Sequence, residues 1–175
     1  MLFAFTEALS SIRDFMEQGG DVLWGIAILV LFMWTMIFER IFYYAQGYDE
    51  YISGLVKQWE SREDKTSWYA LQIREKYMSQ ARVEINRNLS LIQCCVAVAP
   101  LFGLLGTVTG MIEVFQVMAF NGGGDARSMA GGVSKATLPT MAGMVVALSG
   151  VFATIYLTSA SVKREQMLND VIKRY

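Results

Sequence analysis

Leu89–Phe120 reads LSLIQCCVAVAPLFGLLGTVTGMIEVFQVMAF, a run in which Glu113 is the only charged residue. A helix needs about 20 apolar residues to cross roughly 30 Å of hydrocarbon, so this stretch spans a bilayer with residues to spare. Two further runs lie on either side of it. Val22–Phe38 carries no charge and is bounded by Asp21 and by Glu39-Arg40, while Val133–Ala160 contains Lys135 alone. The composition agrees: 54% of the residues are hydrophobic, 18% are charged, and there are two prolines. The expected fold is an all-α integral membrane protein with three transmembrane helices.

The first run is weighed against a cleaved leader. Glu7, Asp14 and Glu17 precede it with only Arg13 in opposition, and no small-residue cleavage signature follows, so it is read as a span. Direction follows from the basic residues, which collect on the cytoplasmic side. Arg40, Lys57, Arg62, Lys65, Arg74, Lys76, Arg82 and Arg87 lie between the first and second runs, and Lys163, Arg164, Lys173 and Arg174 follow the third. Only Arg13, Arg127 and Lys135 remain. The expected order is therefore a periplasmic segment 1–21, spans at 22–38, 91–120 and 133–160, a cytoplasmic loop 39–90, a periplasmic hairpin 121–132 and a cytoplasmic tail 161–175. Gly122-Gly123-Gly124 and Asp125 suit a tight hairpin and lack the ending of a phosphate-cradling loop. The loop 39–90 has no proline and two glycines, Gly47 and Gly54, which favours helical extensions of the spans over a separate domain. Tyr43, Tyr44, Tyr48 and Tyr51 recur near helical spacing just beyond the first span, as interfacial anchors and packing residues do.

Several chemistries are excluded at the outset. There is no histidine, so imidazole metal sites, triads and proton relays are absent. Cys94 and Cys95 are adjacent in an apolar run and read as small hydrophobes. The formal net charge of −1 gives no reason to expect nucleic acid. No nucleophile–base pair, metal cluster or nucleotide motif indicates an enzyme or a cofactor.

The second and third runs each carry a narrow stripe. Ala99, Gly103, Gly106 and Gly110 share one face with Thr107 beside them, and Thr140, Gly143, Ala147, Gly150, Thr154 and Thr158 recur in steps of three or four. Small residues let helices approach closely, and hydroxyls can line a wetted or partner-filled cavity; both readings stand. Pro100 and Pro139 interrupt the two spans and are candidate bends. Charges at the centre of a bilayer cost about 2.5–3.5 kcal/mol each on insertion scales, so Glu113 and Lys135 need an explanation. If Thr107 and Thr140 sit at equal depth in antiparallel helices, the two charges reach similar heights in the outer half of the membrane. They then either form an ion pair, within or between subunits, or snorkel separately to the interface.

Pro100-Leu101-Phe102-Gly103-Leu104-Leu105-Gly106-Thr107-Val108-Thr109-Gly110-Met111 resembles the signature stretch of the ExbB/TolQ/MotA proton-channel family. The resemblance extends through Phe115, resumes over Gly132–Gly150 with Ala136, Thr140 and Gly143 in register, and includes Phe38-Glu39-Arg40 at the end of the first span. Three spans with the N-terminus outside are similar to ExbB and TolQ, and fit the four-span MotA type poorly. The resemblance implies a pentameric ring in the bacterial inner membrane, its second and third spans lining a central pore. It also implies a one-span ExbD-like partner whose membrane aspartate carries protons inside that pore. A TonB-like protein then passes the work to outer-membrane uptake of iron complexes and similar nutrients. Thr107 and Thr140 resemble the family's pore threonines. Five residues before the second of these the family has a glutamate and this chain has Lys135, whose ammonium cannot replace a carboxylate as a proton carrier. The alternatives are a TolQ-like subunit serving envelope maintenance and a non-transporting scaffold whose small faces simply pack.

Overall fold

The computed structural model describes residues 2–61, 67–120 and 126–174, all of them helical apart from short connections. The Gly122–Gly124 turn with Asp125, and the basic residues Arg62 and Lys65, lie outside the described residues. Helix α1 covers Leu2–Phe42 and passes through a π-helical turn, Tyr43–Gly47, into α2, Tyr48–Glu60. Helix α3 covers Trp68–Ile85, α4 Leu89–Phe120 and α5 Ala126–Arg174. Three helical stretches are long and apolar enough to cross a membrane: Gly19–Gly47, the run ending at Phe120, and Met129–Asp170. In the last of these only 17% of the most apolar window is buried, so most of its apolar surface is left for lipid or for contact with other protein.

The helices extend beyond the expected spans in two places. Residues 2–21 are helical and continue into the first span, and α1 is interrupted only at Gly20, whose φ of 67° and ψ of −166° no helix accommodates. At the other end of the hairpin 121–132, helix α5 is already formed at Ala126 and runs through Gly131 and Gly132. Close packing accounts for the second: a Cβ on Gly132 would lie 2.5 Å from Val114 Cγ2, so α4 seats its valine where the glycine has no side chain. The glycine pair reads locally as a loop, and the tertiary contact keeps it in a helix.

Contacts divide the chain into two units. One comprises the chain as far as Met33 together with Cys94–Val151; the other comprises Trp34–Gln93 and the chain from Phe152 onward. In the first, α4 and α5 touch along their small residues. A Cβ on Gly143 would come 2.6 Å from the Ala99 carbonyl oxygen, and one on Gly103 would come 2.9 Å from Thr140 Cα. Leu23, Ile26, Met33, Val96, Ala99 and Ala136 are buried there. In the second unit Leu55, Ala81 and Leu168 form a small core with Ile52, Tyr77 and Met78 packed on it. Ser67 caps α3, its hydroxyl accepting from the Tyr69 N–H at 3.3 Å. Asn88, at φ 63°, turns the chain into α4, and its carbonyl accepts from the Ile92 N–H at 3.0 Å.

Candidate functional site

Thr107 on α4 and Thr140 on α5 face each other, both half-buried, with their hydroxyls hydrogen-bonded. Both also reach the Gly103 carbonyl oxygen, Thr140 Oγ1 donating at 3.0 Å and Thr107 Oγ1 at 3.3 Å. Two hydroxyls hold two protons between them, so these three contacts cannot all be made at once. One hydroxyl donates to the carbonyl, while the other donates to its neighbour or turns outward. A carboxyl or water arriving beside the pair would find a group able to donate or accept in either protonation state. The local cause of this closeness is glycine: Gly103 offers Thr140 a bare backbone and an open carbonyl on the same turn.

The other small residues are placed by the same contact. Gly103, Gly106, Gly143 and Gly150 are buried, and Gly110 and Ala147 are half-buried. A Cβ on Gly110 would sit 2.7 Å from Ala136 Cβ, and one on Gly150 would sit 2.5 Å from Val96 Cγ2. At these glycines the missing side chain makes room for packing within the chain. Pro100 and Pro139 both lie inside helices that continue past them. Pro139 is buried and packs against Gly106.

Glu113 and Lys135 occupy a different place from the threonines. They line a cavity of about 550 Å3 together with Asp21 and Val22 of α1, and Gly106 and Pro139 form part of its wall. The last two immediately precede Thr107 and Thr140 in the chain. Among the described residues Glu113 and Lys135 share no direct ion pair, and both are exposed. Asp21, which the sequence offers only as the boundary of an apolar run, is a third charge in the same cavity. Among the described residues no group of acidic or cysteine side chains is arranged to hold a metal ion.

The second unit holds a polar cluster that the sequence does not disclose. Arg40 is 1% exposed; its Nη1 donates to the Glu84 carbonyl at 3.1 Å, and its other nitrogens meet the Glu39 carboxylate at 3.1 and 3.2 Å. Tyr44 donates to the Ile85 carbonyl at 2.8 Å and Tyr48 to the Arg164 carbonyl at 2.9 Å. Arg164 in turn donates to the Tyr44 carbonyl at 2.9 Å and lies over both rings, 4.4 Å from the centroid of Tyr44 and 5.3 Å from that of Tyr48. Asn86 joins Glu165 and accepts from the Ser161 hydroxyl at 3.1 Å. Tyr44 and Tyr48 are thus buried packing residues, whereas Tyr51 remains exposed.

Residues 45–170 match the model of the MotA/TolQ/ExbB proton channel family. The chain is 35% identical over 71 residues to the biopolymer transport protein ExbB of Helicobacter pylori strain J99, an alignment covering 41% of this chain and 49% of that protein. It is 32% identical over 100 residues to the biopolymer transport protein exbB1 of Vibrio cholerae, covering 54% and 44%. An ExbB-like protein of Synechocystis is 37% identical over 86 residues, covering 47% and 33%. The chain spans between a third and a half of the length of these curated relatives. With the family match covering most of the chain, the three apolar helices and the facing threonines belong to a multi-pass membrane protein of the MotA/TolQ/ExbB proton channel family.

Proposed function

We propose that this chain is an ExbB-like stator subunit of a TonB-dependent energy-transducing complex in the bacterial inner membrane. It couples the proton motive force to outer-membrane uptake of iron complexes and similar nutrients. The observation that supports this most is the Thr107–Thr140 pair, two hydroxyls converging from neighbouring spans on one carbonyl. In this reading five copies form a ring, the N-terminus is periplasmic and the C-terminus cytoplasmic. The membrane aspartate of an ExbD-like partner passes the threonines inside the ring. The chain supplies a shaped polar track and the partner supplies the titrating acid, while each proton crossing delivers about 2.3 kcal/mol per 100 mV. A TonB-like protein receives the work.

The lysine at 135 fits this division of labour, because an ammonium is no substitute for a carboxylate carrier and the track does not require one. A TolQ-like role runs on the same geometry; the ExbB names of the relatives favour the nutrient-uptake branch. Co-reconstitution with the ExbD-like partner tests the reading. Proton uptake into proteoliposomes is expected to fall to the level of partner-free vesicles in Thr107→Ala and Thr140→Ala. Undiminished uptake at wild-type protein levels would leave only a packing scaffold.

A further inference from the structure

Each of the three spanning helices contributes one charged side chain to a single cavity: Asp21 from α1, Glu113 from α4 and Lys135 from α5. The position of the three along their helices is informative. Glu113 stands about 36 Å along α4 from Leu89, and Lys135 about 42 Å along α5 from Lys163, at 1.5 Å per residue, against ~30 Å of hydrocarbon. Asp21 stands about 27 Å from Glu39 on the same measure. On this measure Glu113 and Lys135 lie beyond the hydrocarbon and Asp21 about 3 Å short of its edge, within reach of the headgroups, in the leaflet on the side of the α4–α5 connection. Their polarity is mixed, with two carboxylates and one ammonium. Among the described residues none of the three is ion-paired. The rest of the wall is largely apolar, including Val114, Val117, Met118 and Met129. A cavity of about 550 Å3 falls in the range that takes a small ligand.

We propose that this cavity binds the headgroup of a zwitterionic phospholipid with a primary ammonium, of the phosphatidylethanolamine class, drawn from that leaflet. Lys135 meets the phosphodiester, and Asp21 and Glu113 accept hydrogen bonds from the ammonium. The apolar wall takes the glycerol and the first methylenes. The charges select the lipid. A choline headgroup has no N–H to donate to the two carboxylates, and a glycerol headgroup brings its negative phosphate to a site of net −1 with no cation of its own. A lipid rather than a soluble ligand is favoured by the height of the site and by Ile112 and Phe115, exposed apolar residues of α4 beside the cavity-lining Glu113 and Val114, along which acyl chains can run. The proposal reads binding alone and does not depend on proton transport.

Native mass spectrometry of the detergent-extracted full chain tests it, with phosphatidylethanolamine, phosphatidylcholine and phosphatidylglycerol of identical acyl chains in equimolar mixture. Retention of the ethanolamine lipid is expected to exceed that of the other two by about tenfold. Asp21→Asn with Glu113→Gln should abolish the preference, and Lys135→Met should weaken retention. Val117→Trp, which fills the cavity without changing charge, should remove the bound lipid, while Phe115→Trp outside the cavity should not. Water-soluble glycerophosphoethanolamine added in excess should compete only weakly, because it lacks the chains; full displacement would show a soluble-ligand site instead. Equal retention of all three lipids, a preference for phosphatidylglycerol, or unchanged selectivity in the double carboxamide variant would overturn the proposal.

Discussion

A threonine hydroxyl can be removed without changing the shape around it, which separates the chemistry at 107 and 140 from packing. Valine replaces the hydroxyl with a methyl group, and serine keeps the hydroxyl and drops the methyl. In Thr140→Val the Gly103 carbonyl still has Thr107 as a donor, so the stability loss is expected near 1 kcal/mol, the net worth of one hydrogen bond. Partner-dependent proton uptake, by contrast, should fall at least about tenfold, equivalent to roughly 1.4 kcal/mol or more of barrier. Thr140→Ser should recover most of it, as read by pH-dye quenching in proteoliposomes; uptake in the valine variant equal to wild type would show that the hydroxyl is structural. The two threonines stood out in the sequence through the resemblance of the stretches around them to the family's pore segments; that their hydroxyls meet on the Gly103 carbonyl did not. Asp21 did not stand out, since a charge next to an apolar run marks a boundary whether or not it faces a cavity. Arg40 was equally hidden: its burial depends on the Glu84 carbonyl, contributed by a distant stretch of chain that no local pattern connects to it.

At the level of elements, α4 and α5 are held by what their glycines lack. Gly143→Val would press a branched Cβ toward the Ala99 carbonyl, 2.6 Å away and fixed in a helix that cannot yield. Overpacking of this kind costs about 1–3 kcal/mol, and a lower thermal midpoint in detergent should report it. Gly131 makes the contrast, because among the described residues nothing lies within 4 Å of the Cβ it would carry. Gly131→Ala should therefore stabilise the start of α5, by up to about 1 kcal/mol, through helix propensity and a less flexible unfolded chain. The same two glycine classes explain what the sequence could convey about this hairpin. Periodic glycines inside apolar runs carry a packing signal that survives without coordinates. Gly131 and Gly132, near a polar turn, carry only the propensity of a loop, and the Val114 contact that overrides it is tertiary. The break in α1 escaped for a related reason: Gly19 and Gly20 are adjacent, and only the backbone shows that Gly20 alone leaves the helix.

For the whole molecule, the proposed direction across the bilayer follows from the 12 basic residues that lie in the segments 39–90 and 161–175. All 12 belong to one unit, against three in the other, and no single substitution would reverse the count. It can be checked by labelling with a membrane-impermeant maleimide in spheroplasts. The native thiols would be replaced first, as Cys94→Ser and Cys95→Ser; Cys94 is exposed on α4, and Cys95 is buried. Two single cysteines then report opposite sides. Ala130→Cys lies near the start of α5 and Gln58→Cys on α2, and both wild-type side chains are exposed, so reagent access rather than packing decides the outcome. Ala130→Cys should react in intact spheroplasts. Gln58→Cys should react only after lysis, because the barrier to the charged reagent is the bilayer itself. The opposite pattern would place the basic loop outside. It would also put the α4–α5 connection and the mixed-charge cavity in the cytoplasmic leaflet, where the same headgroup test would still apply but the proton path would have to run the other way.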